Sequence, residues 1–255
     1  MSTKKLAVGF YNVGVHLEDI DGDLWRMKQR LLGQDIVKAF KHHDLDVLCL
    51  SALGQLNESL DDEFEGGTGT WIRGLISAEQ PDMEDITIYA DDHYVTIVKD
   101  SRVNVAYYET VRGFVPGQEE RSFQLSRVLV TDTNQQVCII NCDAPASKTR
   151  GLSADGRMRY FKTFNDMSGA DPFIWGGNLN TGVIQLAALL RTVDPGRRIN
   201  TSFSHPRRYK HGDIALTCGL RAAQVNSEVG SFYDGASADH DLVVAKVSVP
   251  ASVSM

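Results

Sequence analysis

Short apolar segments separated by polar turns recur along most of the chain, and their length predicts strands more often than helices. Most of these segments are rich in β-branched or aromatic residues and are bounded by polar, proline or glycine positions, as strands are. The predicted strands span residues 6–13, 45–50, 86–90, 94–98, 103–108, 123–131, 136–142, 173–175, 213–217 and 242–249. The segment 45–50 is almost continuously apolar, which is typical of a strand buried on both faces.

Helical periodicity is clearest over residues 24–43, where apolar positions recur at helical spacing. Further helices are predicted over about 155–167 and over 183–193, the latter ended by Pro195 and Gly196. Residues 57–69 are acidic and rich in glycine, which favours an exposed loop. Because strands outnumber helices and the helices separate groups of strands, we expect sheets with helices packed outside them, in a single domain over residues 1–255.

The composition and charge disfavour a membrane protein, a secreted protein and a surface that lies along nucleic acid. The 255 residues are enough to bury a sizeable core, and no apolar run approaches the roughly 20 residues that cross a membrane. Polar Asn12 and His16 follow the basic N-terminal start too soon for a secretory signal, so we expect an intracellular, soluble protein. The formal net charge of −7 disfavours a surface built to lie along nucleic acid. A basic cluster within residues 197–211 is either a solvated loop or an anion-facing loop.

The cysteines are predicted to be free, buried thiols, because each lies in or beside an apolar, strand-like run. None of them forms a CxxC pair, so their spacing gives no zinc site. They are Cys49, Cys138, Cys142 and Cys218.

Two asparagines follow a glycine pair directly after the strand predicted at 173–175, in the stretch Gly176-Gly177-Asn178-Leu179-Asn180. If the extended conformation continues past the glycines, Asn178 and Asn180 lie on the same face and address one site. The alternative is an ordinary strand-to-loop junction, since Asn and Gly are the usual turn residues.

Polar residues stand in the same way at the ends of other predicted strands. They are Asn12, Asn141, Asp143, Asp213, Asp239 and His240. Strand ends that converge at one edge of a sheet sandwich form a common site geometry. Taken alone, Asp213 is better explained as a strand-start residue, and the Asp239-His240 pair as a turn in which the histidine caps neighbouring backbone.

With these motifs in this order, the chain resembles the endonuclease/exonuclease/phosphatase superfamily, whose fold is like that of deoxyribonuclease I. The resemblance extends from residue 6 to about residue 249. It implies an α/β (α+β) four-layer sandwich, in which two packed mixed β-sheets are flanked by helices.

The resemblance also implies roles for the strand-end residues. The implied catalytic positions are Asp143, Asn178, Asn180, Asp213, Asp239 and His240. The implied phosphate-binding positions are Asn12, Asn141 and Arg121, and the residual metal ligands are Asn12 and Asp239.

Three positions depart from the superfamily pattern. Ala52 stands where the superfamily has the glutamate that is its principal metal ligand, Asn178 replaces the aspartate that activates water, and Asp143 replaces a phosphate-contacting histidine. Mg²⁺ is usually bound through one or two carboxylates together with substrate phosphate and water, and Ala52 supplies no ligand. Asn178 can orient a water molecule but cannot accept its proton.

These departures predict a degenerate metal site in a non-catalytic binding or structural component, whose partner is a protein or a phosphate-containing ligand, nucleic acid included. The alternative is an active Mg²⁺- or Mn²⁺-dependent phosphodiesterase, either a nuclease or a phosphatase, with a rearranged ligand set. In that case Asp143, Glu58 or Glu18 would supply the missing carboxylate. A third interpretation is an unrelated α/β domain. We expect no membrane insertion. We expect either Mg²⁺ or Mn²⁺ bound at a depleted site, or no cofactor at all.

Overall fold

The computed structural model describes the chain in segments that contain most of the predicted strands. These are residues 3–13, 22–53, 67–91, 93–112, 122–143, 162–169, 171–178, 188, 191–192, 199–203, 213–218 and 242–250. Only the backbone is described at residues 3–4, 22–25, 178, 199–203, 213–218 and 250.

The described helices and strands follow one another in mixed order along the chain. The helices are α1 (Gly22–His43), α2 (Gly67–Glu79) and α3 (residues 162–168). The strands are β1 (Thr3–Asn12), β2 (Val47–Ser51), β3 (Ile86–Ala90), β4 (Tyr94–Lys99), β5 (Val103–Arg112), β6 (Ser122–Val130), β7 (Gln135–Asp143), β8 (Phe173–Asn178), β9 (Ile199–Phe203), β10 (Asp213–Cys218) and β11 (Val243–Pro250).

The described strands form two mixed sheets. Sheet 1 has the order β11-β1-β2-β4-β3, and sheet 2 has the order β5-β6-β7-β8-β10-β9. Each sheet contains one parallel pair in its interior, β1 with β2 in sheet 1 and β7 with β8 in sheet 2. The other neighbouring strands are antiparallel. Because the strands of a parallel pair end at the same edge, Asn12 and Ser51 finish together in sheet 1, as Asp143 and Asn178 do in sheet 2.

The two sheets pack face to face over an inner layer of side chains, which is defined here as the residues that point between the sheets. Its apolar part includes Val8 and Phe10 of β1, Cys49 of β2, Ile139 of β7 and Ile174 of β8. Alternate residues of a strand point to opposite faces, so the intervening positions face outward, towards the helices.

Helices cover the outer faces of both sheets. Ile36 of α1 and Trp71 of α2 belong to one buried cluster with Leu50 of sheet 1. On sheet 2, the ring of Phe164 in α3 packs against Phe123 and Trp175, with centroid distances of 4.3 and 4.6 Å. Helix, sheet, sheet and helix therefore form four layers, and the predicted fold class is confirmed.

Two elements differ from the sequence-based expectation. The predicted exposed loop at 57–69 is wrong for residues 67–69, because they form the start of helix α2, which was not predicted. Its glycines and threonines have low helix propensity, but burial of Trp71, Ile72 and Ile76 stabilises the helix against sheet 1. Strand β9 was also not predicted, and it forms by pairing with β10.

The remaining elements agree with the expectation wherever they are described. Helix α1 and the other strands lie within a few residues of their predicted bounds. Of the predicted helix at 155–167, the described residues from 162 onward are helical, and of that at 183–193 only residues 188, 191 and 192 are described, all helical. Among the described residues, no helix has the length and apolar character needed to cross a membrane.

The cysteine prediction holds for every cysteine whose side chain is described. Cys49, Cys138 and Cys142 are free and buried, while the side chain of Cys218 lies outside the described part. Burial raises the pKa of the Cys49 thiol to about 12, against a weaker opposing effect of the Thr96 hydroxyl. This thiol is therefore protonated at neutral pH and unreactive.

Candidate functional site

The inner layer changes from apolar to polar towards the edge where β1, β2, β7 and β8 end. At that edge, polar side chains with at most 2% exposure replace the valines and isoleucines found further back. They are Asn12, Ser51, Thr96, Gln124, Ser126 and Asn141. Buried polar groups cost free energy unless they are hydrogen-bonded, so each of them requires a partner.

The two sheets meet at this edge through Asn12 and Asp143. Asn12 is the last residue of β1, and Asp143 is the last residue of β7. The Asn12 amide Nδ2 donates to Asp143 Oδ1 at 3.3 Å. A residue of sheet 1 and a residue of sheet 2, separated by 131 positions in the sequence, are thereby in direct contact.

Asn141 makes a second connection between the sheets. Its Nδ2 donates to the carbonyl oxygen of Leu50 at 2.7 Å, and this bond fixes the orientation of the amide because a carbonyl can only accept. Asn141 Oδ1 has no hydrogen-bond partner among the described residues, and the same is true of the neighbouring Ser51 Oγ. Two buried oxygens are therefore left without a bond beside the Asn12–Asp143 contact.

The end of β2 is strained at Ala52. The backbone N–H of Val13 donates to the carbonyl oxygen of Ser51 at 3.0 Å, and the chain then turns through Ala52 at φ 61°. A residue with a Cβ is uncommon in this left-handed region. Asn12, Ser51, Ala52, Asn141 and Asp143 are called the strand-end site below.

Tyr94 joins the sheets next to the strand-end site. It is the first residue of β4 and is 3% exposed. Its hydroxyl donates to the carbonyl oxygen of Ser122 at 2.7 Å and accepts from the backbone N–H of Asp143 at 3.4 Å. Burial, followed by the negative charge of Asp143, raises the pKa of the Tyr94 hydroxyl, so it stays protonated at neutral pH.

The glycine pair on β8 allows the sheets to approach closely at this edge. A Cβ on Gly176 would lie 2.3 Å from the ring of Phe10, which comes from the opposite sheet. Gly177 has φ 114°, and a Cβ there would lie 2.0 Å from the carbonyl oxygen of Cys142. Side chains at these two positions would push β8 away from β1 and β7.

Asn178 lies between two aspartates in the register of sheet 2. It is opposite Asp143 on β7 and opposite Asp213 on β10. Neighbouring strands lie about 4.8 Å apart, and residues in register share one face of the sheet. Positions 143, 178 and 213 therefore form a row along the face that carries Asp143.

Solved structures of other proteins share this architecture over nearly the whole chain. D. rerio TDP2 complexed with a single-stranded DNA product has TM-score 0.61 and 12% identity, covering 95% of this chain and 98% of that one. The human nocturnin catalytic domain with bound sulfate has TM-score 0.58 and 12% identity, covering 95% and 93%. An endonuclease/exonuclease/phosphatase from Bacteroides vulgatus has TM-score 0.62 and 10% identity, covering 96% and 98%.

The chain has the fold of the endonuclease/exonuclease/phosphatase superfamily. The resemblance predicted from the ordered motifs is thereby confirmed at the level of the fold. By sequence, the chain matches no protein-family model and no curated protein.

The positions implied by this superfamily are described only in part. Asn12, Asn141 and Asp143 are described with their side chains, and Asn178 and Asp213 with their backbone alone. The others lie outside the described residues; they are Arg121, Asn180, Asp239 and His240, together with Glu18 and Glu58. The catalytic and binding roles of all these residues stay predictions.

The described residues of the strand-end site do not fit a Mg²⁺ or Mn²⁺ ion. They include one carboxylate, that of Asp143, while Ala52 offers no ligand at the end of β2. Within the described part of the chain, no group of three or more His, Cys, Asp or Glu side chains is arranged to hold a metal. Hard cations in protein-only sites take several oxygen ligands, carboxylates above all.

Sequence reasoning did not find Ser51 or Tyr94 as parts of this site. Ser51 directly follows the predicted strand at 45–50, but a serine at that place is an ordinary strand end and does not indicate a site. The sequence does not mark Tyr94, because aromatic residues are common in strands. Its hydroxyl bonds to two strands of the other sheet, and that contact depends on the tertiary structure.

Proposed function

We infer that the chain is a non-catalytic binding domain, which uses the strand-end site to hold a ligand without hydrolysing it. The observation that carries this inference is the end of β2, where Ser51 and Ala52 offer no carboxylate at the implied metal position. On the opposite sheet, Asp143 is in contact with the Asn12 amide.

The chemistry of phosphoester hydrolysis supports the inference. A bound metal ion contributes several kcal/mol by stabilising charge in the transition state, and general acid–base catalysis is typically worth about 10²–10⁴-fold. Ala52 provides no ligand at the implied metal position, so the contribution of the metal ion is lost there. Asn178 cannot accept a proton, so it cannot act as a general base. Loss of both removes most of the rate enhancement.

The test is an activity assay of the wild-type chain with Mg²⁺ or Mn²⁺ on DNA, RNA and bis(p-nitrophenyl) phosphate. We expect no metal-dependent hydrolysis above background, and no tight metal binding in calorimetric titrations. Robust hydrolysis that Asp143→Ala or His240→Ala abolishes would contradict the inference.

One observation favours a second candidate, an active metal-dependent hydrolase with rearranged ligands. Asp143 and Asp213 flank Asn178 in the register of sheet 2, so two carboxylate-bearing residues stand on either side of position 178 in one row across the sheet. In that case hydrolysis and metal binding are both lost in Asp143→Asn and in Asp213→Asn.

A further inference from the structure

Three hydrogen-bond donor groups at the strand-end site each donate to an acceptor of the protein. The Asn12 amide donates to Asp143, and the Asn141 amide donates to the carbonyl oxygen of Leu50. The backbone N–H of Asp143 donates to the Tyr94 hydroxyl, which itself donates to a carbonyl oxygen of β6. An anion that enters this site therefore competes with oxygen atoms of the protein for these donors.

Acceptor oxygens are in excess at the same place. Asn141 Oδ1 can only accept, and it has no hydrogen bond among the described residues although Asn141 is 1% exposed. Ser51 Oγ, on a fully buried residue, has none in that part of the chain either, although a hydroxyl can donate as well as accept. An ionised Asp143 carboxylate likewise only accepts. The group that complements the oxygens of Asn141 and Asp143 is a hydrogen-bond donor, preferably a positively charged one.

We propose that Asp143 determines the specificity of the strand-end site, which selects a cationic donor group of a protein partner, a lysine ammonium or an arginine guanidinium, over a phosphate group. This proposal rests on the binding function inferred above. An ammonium brings three N–H donors and a guanidinium brings five, whereas a phosphate brings negative charge and further acceptors. The formal net charge of −7 acts in the same direction at longer range.

The charge of Asp143 sets the size of the expected effect. Two unit charges about 4 Å apart change an affinity at least about fivefold when fully hydrated, and more in a partly buried site. Asp143 is partly buried, so we expect an effect of about tenfold. Removing its charge should weaken the binding of a cation and strengthen the binding of a phosphate by about this factor.

The experiment titrates the full chain with agmatine, which carries an ammonium and a guanidinium, and separately with inorganic phosphate and Mn²⁺. Binding is followed through the NMR signals of the Asn12 side-chain amide, with calorimetry for Mn²⁺. Asp143→Asn keeps the shape and an oxygen for the Asn12 amide, and Asp143→Ala provides a second variant. The matched control is Asp132→Asn, which removes the same charge from the exposed turn at the other end of β7.

We expect the wild-type chain to bind agmatine and not phosphate at Asn12. Asp143→Asn should weaken agmatine binding about tenfold and allow phosphate to bind. Asp132→Asn should change either affinity less than about twofold. The proposal is overturned if Asn12 responds to neither probe, if phosphate binds the wild-type chain more tightly, or if Asp143→Asn changes nothing. Saturable Mn²⁺ binding that depends on Asp143, without agmatine binding, would indicate a metal centre instead.

The two inferences fail in different ways. Hydrolysis by the wild-type chain overturns the non-catalytic function, whatever the order of the affinities. A phosphate preference in a chain that does not hydrolyse overturns only the specificity assigned to Asp143.

Discussion

Asp46 and Asp143 are aspartates at opposite ends of the sandwich, and their surroundings differ. Asp46 directly precedes β2 and is 1% exposed. Its carboxylate accepts from the backbone N–H of Ala7 at 2.9 Å and from Arg102 Nε at 2.8 Å. Burial raises the pKa of Asp46, while the Ala7 N–H and the Arg102 charge oppose this rise.

Asp143 ends β7 at the edge where the parallel pairs finish, and its carboxylate contacts the neutral amide of Asn12 across the sheets. The Asn12 Nδ2 atom lies 3.3 Å from its carboxylate, longer than either bond of Asp46. Unbonded oxygens of Ser51 and Asn141 accompany it. The comparison teaches that a cation holds the buried carboxylate at one end, whereas at the other end a carboxylate bonds a neutral amide beside two buried oxygens that have no hydrogen bond among the described residues.

The largest expected effect comes from removing the two carboxylates in turn. Asp46→Ala should lower the free energy of unfolding by about 2–4 kcal/mol, because the Ala7 N–H loses its acceptor in the interior and Arg102 is left with the exposed Asp44, at 3.9 Å. Asp143→Ala should cost about 1 kcal/mol or less, since its bond is long and the residue is partly exposed. Urea denaturation measures both, and equal losses would remove the distinction between the two ends.

The second prediction restores carboxylates at the site end. Ala52→Glu combined with Asn178→Asp should raise Mn²⁺ affinity about tenfold or more, because one or two carboxylates are what such ions require from a protein. Activity should stay at a trace, since Asp143 still carries its negative charge. Adding Asp143→His should help only in that background, as expected for residues that act as a unit.

Calorimetry and the hydrolysis assay follow each variant, with Asp132→Asn combined with Asp171→Asn as a control for altered charge away from the site. A double variant with unchanged metal affinity would mean that positions 52 and 178 do not share a metal site.

How far the sequence predicts the fold depends on whether a signal is local. The β-branched runs that form β1, β2 and β7 could be recognised because their pattern is contained in a few residues. Helix α2 could not, because Gly67, Gly69 and Gly74 argue against a helix that only packing against sheet 1 stabilises.

The same limit applies to the site. The polar strand ends at Asn12 and Asp143 are visible in the sequence, and their convergence follows from the fold. The unbonded Asn141 oxygen and the Tyr94 bridge depend on how the two sheets are aligned across the inner layer. No pattern within one strand encodes that alignment, so the donor and acceptor balance could not be predicted.

The third prediction tests the bridge between the sheets. Tyr94→Phe removes the hydroxyl that serves Ser122 and Asp143 but keeps the buried ring, so it should cost about 1 kcal/mol of unfolding free energy. The amide proton of Asp143 should also exchange faster with solvent, whereas that of Ala7 at the other end should not change. Tyr107→Phe, at a tyrosine that is 45% exposed, is the matched control and should leave both quantities unaltered. An unchanged Asp143 amide would show that Tyr94 does not hold this residue in place.

The smallest expected effect comes from backbone strain, which is compared between the site end and the opposite end. Ala52 at the site end and Asp44 at the other end are both left-handed, with φ of 61° and 48°. Aspartate tolerates this region better than alanine does, so the strain is greater at the site end. Ala52→Gly should therefore raise the free energy of unfolding by about 0.5 kcal/mol, the relief of strain being partly offset by the larger entropy of glycine in the unfolded chain. Asp44→Gly should give no gain, since aspartate is less strained there and glycine has the larger entropy in the unfolded chain. The exposed ion pairs of Asp44, at 3.8 and 3.9 Å, change this balance little. Parallel urea titrations of the two variants measure the difference, and a gain at Asp44 as large as that at Ala52 would mean that strain is not concentrated at the site end.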